Sequence, residues 1–392
     1  MRIGVNAWFL RQESTGSGQY LRHLLREFDA AGGEHEYTLF ISPSQPGSAP
    51  PLKFNSLRFR SLELRGPFDG QSDKLCKLWF EQIAVPRAAR RLGLELLHVP
   101  YWASPLRPAT PTIVTVHDII PLILPAYRGG LLVRAYTHLV AAAARRADFV
   151  LTDSLTSRQD IVRRLKIPAR RVRAVHLAPD ARFRPGVELT RLLTLRRKYA
   201  LPDRYLLYLG GFDRRKNVPG LLRAFARLVA RGDKARLVVA GRLPTKDSAF
   251  FPHPQRVARE LGLGDAVHFI GRVPEEEKPA LYAGAVAFVF PSRYEGFGLP
   301  PLEAMACGAP AIGSTAASLP EVIGDGGLLI EPDDVDGLSE AMSRLWRDAN
   351  LRADLSRRAL AQAAHFSWNE TARQTLKAYE QQGRPERVRD WS

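Results

Sequence analysis

Tyr294-Glu295-Gly296-Phe297-Gly298-Leu299-Pro300-Pro301-Leu302-Glu303 is the stretch whose reading decides the fold. The apolar run Val286 to Phe290 ahead of it reads as a strand buried on both faces. Ala304-Met305-Ala306 behind it reads as the start of a helix. Two carboxylates, Glu295 and Glu303, therefore bracket a glycine-containing loop between a strand and a helix. Glycine lets backbone N–H groups approach a ligand closely. A helix start offers unpaired N–H donors to an anion such as phosphate. A carboxylate before the loop and another inside the helix can each accept hydrogen bonds from hydroxyls. Hydroxyl, phosphate, hydroxyl in that order describes a nucleotide sugar. Taken alone, the spacing of the two glutamates fits a tight connection with two solvated acids. The loop sequence and its place after a strand favour a ligand site.

Composition sets wider bounds. The 392 residues suffice for two domains, and 45% hydrophobic with 25% charged residues is ordinary for a soluble globular chain. No apolar run is long enough for a transmembrane helix, and Met1-Arg2-Ile3-Gly4-Val5 leads into a strand rather than a signal peptide. Cys76 and Cys307 lie far apart and give neither a metal spacing nor a disulfide framework, so a cytoplasmic location is expected. The net charge of +17 is the outlier. Residues 1–185 hold 27 Lys and Arg against 15 Asp and Glu, and the remainder holds 30 against 25. The first half thus carries a surplus of 27 − 15 = +12 and the second 30 − 25 = +5. A basic face attracts anionic lipid, nucleic acid or acidic substrates; a merely solubilising surface explains the charge as well.

In chain order, Arg2 to Ala7 reads as a strand, followed by the glycine loop Thr15-Gly16-Ser17-Gly18-Gln19-Tyr20 and a helix. As a dinucleotide fingerprint this loop is incomplete, because Leu21 stands where a third glycine belongs. Tyr37 to Ile41 and Leu57 to Leu64 read as strands, with loops over Ser42 to Pro51 and 65–75, and Trp79 to Leu92 reads as a helix. Leu94 to Val99 and Thr112 to Val116 are further strands. The second runs into His117-Asp118-Ile119-Ile120-Pro121-Leu122, at the strand end where open α/β sheets bind ligands. Arg128 to Arg146, with Leu131, Leu132, Ala135, Leu139 and Ala142, fits a helix lying on a membrane or a packed domain helix, and the packed reading is preferred. Asp148 to Thr152 is a strand, Asp153-Ser154 caps a helix to about Leu165, and Val172 to Leu177 closes the sheet.

Pro179 to Pro185 reads as a connection between domains. A helix, Leu189 to Tyr199, and a strand, Tyr205 to Leu209, lead to Gly210-Gly211-Phe212-Asp213-Arg214-Arg215-Lys216-Asn217. Glycines and cations between a strand and a helix make a diphosphate clamp, with Arg gripping bidentately and Lys acting as a point charge. Arg236 to Ala240, Val267 to Ile270, Pro310 to Gly313 and Gly327 to Ile330 are strands, and Glu275 to Tyr282 is helical. Asp334-Val335-Asp336 spells a metal-binding D-x-D, but its place before an apolar helix pattern makes it a helix cap. Ala359 to Tyr379 is helical with a bend at Phe366-Ser367-Trp368, and the polar tail Arg384 to Ser392 is expected to be mobile. Strands alternating with helices throughout imply parallel α/β sheets.

The E-x7-E segment resembles the signature of retaining glycosyltransferases of family 4, and the similarity runs over nearly the whole chain. That resemblance implies the GT-B fold: α/β, with two Rossmann-like domains facing across a cleft. An acceptor-side domain is expected over 1–185, with a C-terminal helix of about 366–392 packing back on it. A nucleotide-sugar domain is expected over 186–365. The resemblance implies Glu295, His117 and Lys216 as the catalytic set. It implies Gly16, Gly18, Arg215, Lys216, Val273, Phe297, Gly298, Leu299 and Glu303 as donor contacts, with Glu303 on the ribose and Val273 near the base. Many members carry an arginine directly after the glycine where this chain has Gly211 and Phe212, and Arg215 is expected to substitute. No metal and no other cofactor is expected. The partners implied are a nucleotide-diphosphate sugar, leaning to GDP-mannose, and a glycan or lipid-linked acceptor in cell-surface polysaccharide or glycolipid synthesis. Peripheral contact with an anionic membrane is a further expectation, and nucleic acid is not. The alternatives are a GT-B nucleotide-sugar epimerase, a basic nucleic-acid-binding protein, and a dinucleotide-dependent oxidoreductase.

Overall fold

The computed structural model describes residues 1–47, 50 and 52–383. The tail Arg384 to Ser392 lies outside the described residues. The chain divides into two units, one made of Met1–Leu177 with the segment from Trp368 onward, the other of Ala178–Ser367.

The first unit is built on seven parallel strands: β1 (Arg2–Asn6), β2 (Glu36–Ile41), β3 (Phe59–Glu63), β4 (Leu96–Val99), β5 (Thr112–Thr115), β6 (Phe149–Thr152) and β7 (Val172–Ala174). Their order across the sheet is β3-β2-β1-β4-β5-β6-β7. The order reverses between β1 and β4, which is the topological switch point of a doubly wound fold. β4, β5 and β6 are buried along their whole length, because helices cover both faces of a parallel sheet. The helix Trp368–Gln382 packs on the helix Gly16–Ala30 and on β6 within this unit. It is tied to the sheet by the Tyr379 hydroxyl on His98 Nδ1, 2.6 Å, and by the Thr371 hydroxyl donating to the His176 carbonyl, 2.6 Å.

The second unit has six parallel strands: β8 (Leu206–Leu209), β9 (Leu237–Ala240), β10 (Val267–Gly271), β11 (Ala287–Phe290), β12 (Ala311–Ser314) and β13 (Gly327–Ile330). Their order is β10-β9-β8-β11-β12-β13, so the switch point falls between β8 and β11. Both strands are apolar and buried at every position, Leu-Leu-Tyr-Leu and Ala-Phe-Val-Phe. Among the described residues no helix is long and apolar enough to cross a membrane.

Several local expectations are corrected. The helix expected over Trp79 to Leu92 begins earlier, at Asp73, where the Ser72 hydroxyl caps the Leu75 N–H, so 65–75 is only partly loop. It then passes through a π-helical turn, Phe80–Ala84, before Val85–Arg91. Pro86 explains the wide turn: it has no N–H for a regular helical bond, and its ring crowds the preceding turn. The helix after the organising loop starts at Leu299, not near Ala304, with Pro300 and Pro301 in the first turn, where no N–H is needed. The helix within Arg128 to Arg146 runs Leu131–Arg146 and buries Thr137, Val140, Ala141, Ala143 and Ala144. The apolar face expected there is offset, because Leu131 and Leu132 stand in solvent. The stretch Ala359 to Tyr379 is two helices, Ala349–Ala363 and Trp368–Gln382.

Candidate active site

The second unit assembles a charge cluster at its switch point, from the two loops that leave β8 and β11. The β8 loop turns through a short 3-10 segment, Arg214–Lys216, and Asn217 then adopts a left-handed conformation, φ 55°, held by its side-chain amide on the Pro332 carbonyl, 2.6 Å. That turn aims Arg215 and Lys216 at the β11 loop. Lys216 Nζ lies 2.8 Å from Glu295 Oε1, and Arg215 Nη1 lies 2.5 Å from Glu295 Oε2. Arg215 also donates to the Tyr294 carbonyl, 3.1 Å, and pairs with Asp213 at 3.3 Å. The ammonium of Lys216 sits 4.7 Å from the centre of the Phe290 ring. Burial lowers the Lys216 pKa against the pull of Glu295. Burial alone would raise that of Glu295, but Lys216 and Arg215 outweigh it and hold the carboxyl below its ordinary range.

The loop between Glu295 and the helix is pinned by serines. The Ser318 hydroxyl donates to the carbonyls of Glu295, 3.0 Å, and Phe297, 2.5 Å, and Ser314 Oγ donates to the Ser292 carbonyl, 2.5 Å. Gly298 caps the helix Leu299–Ala306 with φ 122°, a conformation that side chains rarely adopt. One turn in, Glu303 is buried and accepts from the Tyr282 hydroxyl, 2.9 Å. Burial pushes its carboxyl up to about 7; Lys278 pulls it down and Glu275 pushes it further up. Phe297 is buried edge-on to Phe366, 5.9 Å between centroids, and Val273 is buried after β10. Phe212, where an arginine was expected from the resemblance, is buried against Tyr208.

His117, Gly16 and Gly18 belong to the first unit and form a separate group. His117 follows β5, and its Nδ1 lies 2.8 Å from Asp153 Oδ2, at the end of neighbouring β6. Burial opposes the imidazolium, but the Asp153 carboxylate more than compensates, so the pKa is raised. His117 Nε2 is buried and has no hydrogen-bond partner among the described residues. Its ring meets the Tyr20 ring edge-on at 5.0 Å. Tyr20 comes from the helix Gly16–Ala30, which starts in the glycine loop. The Gly18 N–H is committed to the Thr15 hydroxyl, 3.1 Å, and a Cβ there would lie 2.0 Å from the Gln12 carbonyl oxygen. Gly18 is therefore required by packing, while a Cβ on Gly16 would meet nothing within 4 Å.

Two family models match the chain: the glycosyl transferase 4-like domain over residues 15–178 and glycosyl transferases group 1 over 194–362. The O-antigen chain mannosyltransferase B of Escherichia coli is 37% identical over 269 residues, covering 68% of this chain and 69% of that protein. This chain belongs to the group 1 glycosyl transferases. The MMP alpha-(1->4)-mannosyltransferase of Mycolicibacterium hassiacum is 29% identical across 97% of this glycosyltransferase and 98% of its own length. The serotype-specific mannosyltransferase WbdA of Escherichia coli is 33% identical over 277 residues, and the match spans only about a third of that longer protein. Among solved structures, the glycosyltransferase is similar to sucrose-phosphate synthase from Thermosynechococcus elongatus, with TM-score 0.74, 23% identity, and 97% and 98% of the two chains covered. That likeness, and one to the lipopolysaccharide glycosyltransferase WaaG at TM-score 0.68 and 16% identity, establishes the GT-B fold.

Sequence reasoning missed three residues that hold predicted site residues in place, one in the first unit and two in the second. Asp153 was read with Ser154 as a helix cap; Ser154 is that cap, accepting from the Ser157 N–H, and Asp153 orients His117. The signal was available: β5 and β6 are successive strands, so residues just past their ends become neighbours. Ser318 and Tyr282 carried no spacing signal, because each acts on a residue at least 21 positions away.

Proposed function

We propose that this glycosyltransferase moves a mannosyl residue from a nucleotide-diphosphate sugar, GDP-mannose, to a glycan or lipid-linked acceptor with retention of configuration. The observation that carries the reading is the convergence of Arg215, Lys216 and Glu295 at the β8/β11 switch point, beside the helix start at Gly298. A sugar leaving its diphosphate builds negative charge on the phosphate oxygens. Fixed cations and backbone N–H groups at that point stabilise the transition state more than the ground state. Lys216 and Arg215, with the N–H groups of Gly298 and Leu299, take the diphosphate. Glu295 takes hydroxyls of the transferred sugar, Phe297 walls its pocket, Val273 stands by the base, and Glu303 takes the ribose; within the first unit, the His117 imidazole is suited to a sugar hydroxyl. Glu295 is held by two cations, which suits a hydrogen-bond acceptor better than a nucleophile. The choice of mannose is supported by the names of the relatives, and a glycan acceptor by the O-antigen relative.

The reaction needs no metal in this proposal. The surplus of +12 on residues 1–185 supports a peripheral contact with an anionic membrane, where a lipid-linked acceptor would be found. Thermal-shift titration against GDP-, UDP- and dTDP-linked hexoses tests the donor, because a ligand that binds only the native state raises its stability. GDP-mannose is expected to give the largest shift. A larger shift with another nucleotide sugar overturns the donor, and a donor isomerised in the absence of any acceptor would favour the epimerase.

A further inference from the structure

A cavity of about 340 Å³ opens in the first unit between the segment after β5 and the helix Leu131–Arg146. Pro121 and Leu122 form one wall, and Arg128, Arg134, Thr137 and His138 form the rest. Two guanidinium groups and an imidazole thus face a space that no acidic residue lines among the described residues. The helix begins at the same place, capped by Gly130 without a side-chain hydrogen bond, so its first turn adds backbone N–H groups to the positive side. The same turn carries three consecutive apolar residues out of the fold. Leu131 is 83% exposed, Leu132 80% and Val133 51%. Packing does not account for them, because the helix buries a different set, from Thr137 to Ala144. A run of exposed aliphatic side chains beside a basic pocket is an amphiphilic surface, apolar at the tip and cationic just behind it.

We propose that this cavity seats the headgroup phosphate of an anionic bilayer lipid, while Leu131, Leu132 and Val133 enter the acyl region beside it. The proposal rests on the membrane contact inferred above and gives that contact a location; it does not depend on the donor. The charge complementarity is specific: arginine offers paired N–H donors to phosphate oxygens, and a neighbouring apolar tip gains by leaving water only if a hydrocarbon phase lies next to the phosphate. A free phosphate would use the cations and leave the leucines in water.

Vesicle sedimentation of the full chain tests this. The probes are phosphatidylcholine vesicles with and without phosphatidylglycerol. Four proteins are compared: the parent, Arg128→Glu/Arg134→Glu, Leu131→Ser/Leu132→Ser, and the control Arg163→Glu/Arg164→Glu. The control changes charge equally at two exposed residues of the helix Leu155–Leu165. The parent is expected to bind only the anionic vesicles. Each of the two test variants should lose roughly tenfold or more in partitioning, the first through lost basic charge near an anionic surface and the second through lost apolar insertion. The control should stay near the parent, and inorganic phosphate at matched ionic strength should not displace it. Melting curves without lipid establish that the variants are folded. Failure of the parent to bind removes the membrane contact itself. Binding by the pocket variants equal to the parent, or an equal loss in the control, keeps the contact and overturns the pocket. Displacement by inorganic phosphate overturns the lipid in favour of a soluble anion. In every case GDP-mannose binding to the second unit is an independent readout.

Discussion

Glu295 and Lys216 form an ion pair 2.8 Å long in which each side chain keeps only about a tenth of its surface exposed, 10% and 11%. Arg215 closes on the other oxygen of the same carboxylate. One carboxylate therefore holds both cations in place.

Replacing Lys216 by Ala removes a charge whose value lies in the transition state. Turnover is expected to fall by roughly 10²–10³, the usual cost of one transition-state donor, with a smaller change in donor affinity. Steady-state kinetics check this, and unchanged turnover would take Lys216 out of the reaction. Glu295→Gln leaves buried Lys216 without its counter-charge and Arg215 with Asp213 alone, and should cost about 3 kcal/mol in stability. A nucleoside diphosphate should restore part of that loss in a melting curve, because its phosphates supply the missing charge.

The two glutamates of the E-x7-E segment should respond to pH in opposite senses. Glu295 has a depressed pKa, so its stabilising contribution is present above the ordinary carboxylate range and is lost as pH falls through its folded value. Glu303 is raised from 4.5 to about 7, so the fold favours its neutral form, and stability declines as pH rises from 4.5 to about 7. Glu303→Gln should therefore gain on the parent by up to roughly 3 kcal/mol at pH 8 relative to pH 4. Chemical denaturation at both values measures the difference; an equal difference at the two pH values would refute it.

Asp153→Asn should lower the pKa of His117, since the carboxylate is what keeps the imidazolium favoured. The stabilising pair is present below the ordinary histidine pKa and is lost as pH rises through the raised one, so the variant should lack that slope. Following the His117 ring resonances through a pH titration gives the direct readout. A midpoint that does not move would mean the contact carries no charge.

How much of this was legible in the residues depended on distance along the chain. The strand, the loop and the existence of the helix around Glu295, though not the helix's first residue, were readable because an apolar run, two glycines and a carboxylate spacing lie within about twenty residues. Asp334 was readable as a cap for the same reason: its carboxylate accepts from the Gly337 N–H at 2.8 Å. The pairing of Glu295 with Lys216 was not readable, since it joins residues 79 apart through the order of β8 and β11. Asp153 was misread because an acidic residue before a helix has a local explanation that masks a distant one. The exposed tip at Leu131 and Leu132 was hidden by a helical pattern that admits two registers of burial, and only packing selects between them.

The acidic pair near the second unit's end supports a further expectation. Asp334 is engaged as a helix cap, and Asp336 pairs with Arg227. Asp334→Ala should cost about 1 kcal/mol in stability and leave turnover unchanged. Activity should also survive exhaustive chelation. Loss of turnover on adding a chelator, restored by a divalent ion, would show that a metal takes part after all.

The helix Trp368–Gln382 lends Tyr379 to His98 and Thr371 to His176, so the first unit is completed by a helix that follows the whole of the second unit in sequence. During synthesis the second unit has all of its strands before the first is complete. A chain that stops after Ser367 would lack both the Tyr379 hydroxyl on His98 and the helix that packs on β6, and an incompletely packed unit of that kind is a substrate for chaperones. A chain translated past Tyr379 is the one expected to close the half that was made first.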